Sequence, residues 1–135
     1  MSIESLFVVL TALLGGLSTF MLQSKSMVSK VQASAITTLI FSTALYWVVS
    51  AFDLMIDSTL FMAIFWGASF IGMSSSKIID WKSILIASAI FALLFELSES
   101  VEKSHGGKLG LLAAIASIAA LAIVSILAYA HKRLK

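Results

Sequence analysis

Ala12 to Lys30 reads ALLGGLSTFMLQSKSMVSK. An apolar run is interrupted by Gly15-Gly16, passes a short polar group at Ser18-Thr19, and ends in a polar turn that carries Lys25 and Lys30. Ala63 to Lys82, AIFWGASFIGMSSSKIIDWK, repeats the pattern. Gly16 and Ser18 align with Gly67 and Ser69 at a shift of 51 residues, and Lys25 and Lys30 align with Lys77 and Lys82 at a shift of 52. The repeat divides the chain into two tandem helical hairpins and one C-terminal helix.

Working outward, each apolar run is closed by polar residues. The pattern predicts about five transmembrane helices in one transmembrane domain over residues 1–135, with spans at roughly 3–23, 31–52, 58–73, 81–97 and 109–129. The expected fold class is an all-α integral membrane protein. Composition agrees. The chain has 135 residues, 60% hydrophobic and 12% charged, and a mean hydropathy of +1.06. A soluble domain is about half apolar and a quarter charged, and a fold this short cannot hide so much apolar surface from water. Cysteine and proline are both absent. Disulfides and thiolate metal sites are excluded, and any helix break has to come from glycine. The first residues carry Glu4 and no Lys or Arg, unlike the basic opening of a signal peptide, so Ile3 to Gln23 reads as a retained first span. Span three is short, and its Gly67 and Gly72 leave it open as a full, broken or re-entrant crossing.

Five spans sort the charges. Lys25, Lys30, Lys77, Lys82, Lys132, Arg133 and Lys135 fall at one end with Asp80 as the only acid. Glu4, Asp53, Asp57, Glu96, Glu99 and Glu102 fall at the other with Lys103 and Lys108. The positive-inside rule then places the N-terminus outside and the C-terminus in the cytoplasm, as in a cell inner membrane protein. Tyr46-Trp47 and Trp81 stand near span ends, where aromatic belts form.

Within membrane helices, glycine either admits a close neighbour or permits an unwound stretch facing a cavity. Paired glycine-interrupted helices in equivalent repeat positions are where many transporters bind substrate. Gly16, Ser18 and Thr19, with Gly67 and Ser69, are therefore the candidate substrate or ion pathway. Thr38 and Ser42, on one face of span two with Ser34, are its candidate wall. Glu96, directly after Leu93-Leu94-Phe95, is the most deeply placed charge and joins the candidate pathway through cation or proton handling. The same features fit plain small-residue packing and hydroxyls bonded to their own helix. Gly106, Gly110 and Ala114, spaced by four residues, form a candidate oligomer interface.

GGLSTF, Gly15 to Phe20, resembles the glycine–Ser/Thr–Phe helix break of the small fluoride-channel family. The resemblance covers six residues. Gln23 stands where that family has a second phenylalanine, and the chain contains no asparagine for the expected channel-lining position, so the family is not adopted. No catalytic triad, phosphate loop or nucleic-acid motif is visible, and His105 and His131 lack partners at ligand spacing. The expectation is a non-enzyme without cofactor or metal. It would be a transporter or channel subunit for an ion or small solute, partnered by the lipid bilayer and by further copies or a second membrane subunit. The alternative is a non-transporting assembly subunit or a membrane-disrupting effector.

Overall fold

The structure, a computed structural model, describes residues 3–25, 28–53, 56–74, 76–98 and 106–133. These residues form five α-helices: α1 (Ile3–Lys25), α2 (Lys30–Phe52), α3 (Ser58–Gly72), α4 (Trp81–Leu97) and α5 (Gly106–Arg133). α1, α2 and α5 are long and apolar enough to cross a membrane. α3 has 15 residues and α4 has 17, about 22 and 25 Å at 1.5 Å per residue.

Short polar residues set the helix starts. Ser29 opens α2 with a reciprocal capping box: its hydroxyl accepts from the Gln32 amide at 3.3 Å, and the Gln32 side chain accepts from the Ser29 amide at 3.0 Å. The Asp57 carboxylate accepts from the Thr59 and Leu60 amides, and the Asp80 carboxylate from the Ser83 amide at 2.9 Å. Each satisfies donors that a first turn leaves orphaned. At the end of α2, Asp53 takes a left-handed conformation (φ 47°) and its amide bonds the Val49 carbonyl. Short polar side chains tolerate this helix stop.

Hydrogen bonds from the Ser83 hydroxyl, at 2.5 Å, and then from the Ser83 amide hold the Asp80 carboxyl below its ordinary pKa. A depressed carboxylate stabilises the fold above its unfolded pKa, and that contribution disappears as pH falls through the folded value. Asp80→Ala is expected to cost about 1 kcal/mol of stability at neutral pH, and Asp80→Asn, still a good cap, less. Thermal unfolding in detergent at pH 7 checks both. Equal stability of the alanine variant and the parent chain would refute the cap's contribution.

α1 and α3 lie side by side at the centre. α4 packs on α1 and α5, α2 packs on α3 and α1, and α5 covers α3 and α4. Among the described residues α2 touches neither α4 nor α5, and α1 does not touch α5. Exchanging the α1–α2 hairpin for the α3–α4 hairpin leaves the pattern among these four helices unchanged. The core is built from Ile64, Ile71, Ile84 and Phe91 with Ala12, Ala68 and Ala116, all with no exposed surface. Outside it, large apolar side chains face outward: Leu39 is 69% exposed, Phe52 71% and Leu97 69%. In water each would forgo about 1.5–3 kcal/mol of burial.

Of the two readings left open for the glycines, the packed one holds: α1 runs unbroken through Gly15-Gly16, and α3 is one continuous helix through Gly67. No described glycine has positive φ. These glycines are ordinary helical residues, and their missing side chains serve packing instead. α5 also extends past the expected 109–129 at both ends. Beyond Ala120 it has no buried residue among those described.

Candidate functional site

The two glycine segments meet at the α1–α3 contact. A side chain added at Gly15 would press on the Phe65 carbonyl oxygen at 2.6 Å and on Ala68 Cβ at 3.2 Å. One added at Gly72 would run into the Gly16 carbonyl oxygen, with Thr19 Cβ at 2.7 Å and the Phe20 nitrogen at 3.0 Å. Gly16 receives the Ser88 hydroxyl of α4, and Gly67 receives the Phe91 ring. α1 and α3 thus come within backbone distance of each other, with side chains of α4 seated on their glycines, as small residues allow in membrane helix pairs.

Beside this contact lies a seam of hydroxyls. Thr19 of α1 pairs with Thr37 of α2 at 2.8 Å, and Ser34 of α2 with Ser69 of α3 at 2.7 Å. Thr19 and Ser69 have no exposed surface. The remaining bonds stay within a helix: Ser69 to the Trp66 carbonyl at 2.7 Å and Thr37 to the Ala33 carbonyl at 2.9 Å. Among the described residues, two buried hydroxyls, Thr38 Oγ1 and Ser88 Oγ, have no hydrogen-bond partner.

The candidate pathway residues therefore separate. Thr19 and Ser69 come together through α2, and Gly16 sits beside them. Gly67, two residues before Ser69, faces the other side of α3, against Phe91 of α4. Ser18 turns aside, half-buried, and its hydroxyl bonds the Leu14 carbonyl of its own helix at 2.6 Å. Thr38 borders the seam, while Ser42 is one turn farther along α2 and partly exposed. Glu96 is in the last turn of α4, partly exposed and remote from the seam. Gly106 begins α5. Gly110 and Ala114 border a shallow groove of about 340 Å³ together with Phe70, Ser74 and Ser117. A side chain at Gly110 would meet nothing within 4 Å. Glu99, Glu102 and His105 lie outside the described residues. Among the described residues no three His, Asp or Glu side chains gather as metal ligands.

Sequence reasoning passed over Gln23. Its side-chain nitrogen donates to the Gly72 carbonyl at 3.2 Å and the Ser74 carbonyl at 2.6 Å. It thereby satisfies orphan acceptors at the end of α3 and ties α1 to the α3–α4 turn. A lone amide at the end of an apolar run was the available signal. Lys108 does the same for α4, donating to the Ser98 carbonyl at 2.8 Å. Ser88 was also missed, since nothing in its local sequence distinguishes it from other helical serines. No family model, no curated protein and no solved structure matches this chain.

Proposed function

We propose that the chain is an integral membrane protein built from two tandem helical hairpins and one further helix. It crosses the bilayer five times, in a cell inner membrane, with the N-terminus outside and the C-terminus in the cytoplasm. It works as one subunit of an oligomeric transporter or channel for an ion or small solute, without covalent chemistry. The membrane reading is supported by the outward-facing Leu, Phe and Trp side chains along helices whose charged residues gather at their ends. The tandem reading is supported by the packing pattern that survives exchange of the two hairpins.

The observation that carries transport is the hydroxyl seam with Thr38 left unpaired at its edge. Buried polar groups are expensive in lipid and earn attention as pathway candidates. With α1 and α3 unbroken and closed on each other, the pathway belongs between copies rather than inside one. The exposed length of α2, bearing Ser42, would then face the pathway, and the α5 groove at Gly110 and Ala114 would take a neighbour. The sealed interior favours a second reading, a non-transporting assembly subunit. Proteoliposomes assayed with a panel of ions and small solutes separate the two. Flux that Thr38→Val and Ser42→Ala alter supports transport, and absence of flux across the panel supports the assembly reading.

The topology has its own test, because the chain contains no cysteine. Single cysteines at Ser26, Ser76 and Ser100 should react with an external impermeant thiol reagent only at position 100. Labelling at position 26 would overturn the orientation.

A further inference from the structure

The connectivity gathers one end of the bundle from the close of α1, the start of α2, the α3–α4 turn and the start of α4. The Gln23 tie to Ser74 fixes two of these against each other. Lys25 lies two residues past Gln23 and Lys77 three past Ser74, so each is within about 8–11 Å of the tie at 3.8 Å per residue. Lys30 is one helical turn before Ser34, which bonds Ser69. Lys82 is two residues before Ile84, which lies against Gly16. All four lysines are exposed. The acid on this end among the described residues, Asp80, is taken up by the Ser83 amide and hydroxyl.

Apolar groups stand among these charges. Ile78 is 72% exposed and Trp81 54%, while Ile79 between them is buried and anchors the turn. The Lys82 ammonium lies 5.7 Å from the centre of the Trp81 ring. An aqueous phosphate ligand has no use for an isoleucine and an indole. A lipid does, because its phosphate meets the ammonium groups while its glycerol and upper acyl chain meet the rings and alkyl groups at the same depth.

We infer that Lys25, Lys77 and Lys82, with Ile78 and Trp81, form a binding site for the phosphate headgroup of an anionic phospholipid. The inference rests on the membrane reading above but not on transport. Lys25 and Lys77 flank the Gln23 tie and Lys82 opens α4 five residues past Lys77, and basic groups beside membrane helices attract anionic lipid.

The test is a titration of the purified protein in neutral detergent at low salt, read by thermal unfolding. The probes are phosphatidylglycerol, phosphatidylcholine and free glycerol phosphate. Phosphatidylglycerol is expected to raise the midpoint at concentrations where the other two do not. Lys25→Gln and Lys77→Gln should each weaken its apparent affinity about fivefold, and Trp81→Ala should weaken it as well. Lys108→Gln, one charge removed in the first turn of α5 at the opposite end, should leave it unchanged. Equal response to phosphatidylcholine, or to free glycerol phosphate, would overturn the site. So would lysine variants that titrate like the parent chain. Carbonate extraction of cell membranes separates the two claims: a protein that stays in the pellet yet ignores phosphatidylglycerol is embedded in the membrane without the site.

Discussion

Gly72→Ala is expected to unfold the bundle or leave it too unstable to purify. The added methyl has nowhere to go. Its nearest neighbours are the Gly16 carbonyl oxygen, Thr19 Cβ and the Phe20 nitrogen, mostly backbone of α1 in mid-helix. A side chain can change rotamer to admit a methyl, but a helix backbone yields only by moving as a whole. Moving α1 would also break the Gln23 bonds and the Thr19–Thr37 pair, which depend on the same approach. Over-packing of a core ordinarily costs about 1–3 kcal/mol, and backbone-on-backbone contact belongs above that range. Detergent thermal unfolding and size-exclusion profiles read the loss. Gly110→Ala, where nothing lies within 4 Å, should match the parent chain in the same assay. A Gly72→Ala protein as stable as the parent would mean that α1 and α3 do not cross where described.

Gly16→Ala is the second effect, and its mechanism makes it reversible. Here the obstacle is the Ser88 hydroxyl, with Ile84 Cγ2 next at 3.4 Å and the Ala68 carbonyl oxygen at 3.6 Å. Removing that one atom clears the site. Gly16→Ala alone should destabilise by about 1 kcal/mol, because Ser88 can leave the contact only by a rotamer change inside the packed core. Ser88→Ala alone should be neutral or stabilising, because the hydroxyl is buried without a partner and its desolvation is uncompensated. The double variant should recover most of the loss. Contacting residues couple in this way, with interaction energies of about 0.5–3 kcal/mol. The double-mutant cycle is measured by chemical or thermal unfolding in one detergent, and additive single effects would refute the contact.

Helix boundaries were legible to within a few residues because polar groups punctuate an otherwise apolar chain. Ser29, Asp57 and Asp80 stand where first-turn amides need acceptors, and the structure uses each as a cap. The ends of α5 were less legible. The glycine-bearing approach at Gly106-Gly107 reads as loop, and the basic tail reads as interface, although helical geometry suits both.

The meaning of the glycines was not legible at all. Gly15, Gly16, Gly67 and Gly72 look the same whether a helix opens there or closes on a neighbour. The difference lies in residues far along the chain: the Phe65 carbonyl against Gly15, the Ser88 hydroxyl against Gly16 and the Phe91 ring against Gly67. The hydroxyl stripe of α2 was visible as a stripe, but its division into bonded Ser34 and Thr37 and unbonded Thr38 depends on where α1 and α3 pass. A local pattern fixes which residues share a face. It carries no record of what meets that face.

The unequal helix lengths bear on the solvent around the molecule. A membrane-embedded chain presents α4, 17 residues and about 25 Å long, on one flank and the apolar stretch of α5 from Leu109 to Ala130, about 33 Å, on another. A hydrocarbon layer about 30 Å thick fits neither well. Each ångström of mismatch costs a fraction of a kcal/mol, and the membrane responds by thinning beside the short flank while the long helix leans. Lipids around a single copy would thus differ in acyl-chain extension from one side to the other. Short-chain lipids, or neighbouring proteins with short spans, would collect beside α4, so the protein's neighbours in the bilayer would be selected by thickness as much as by contact.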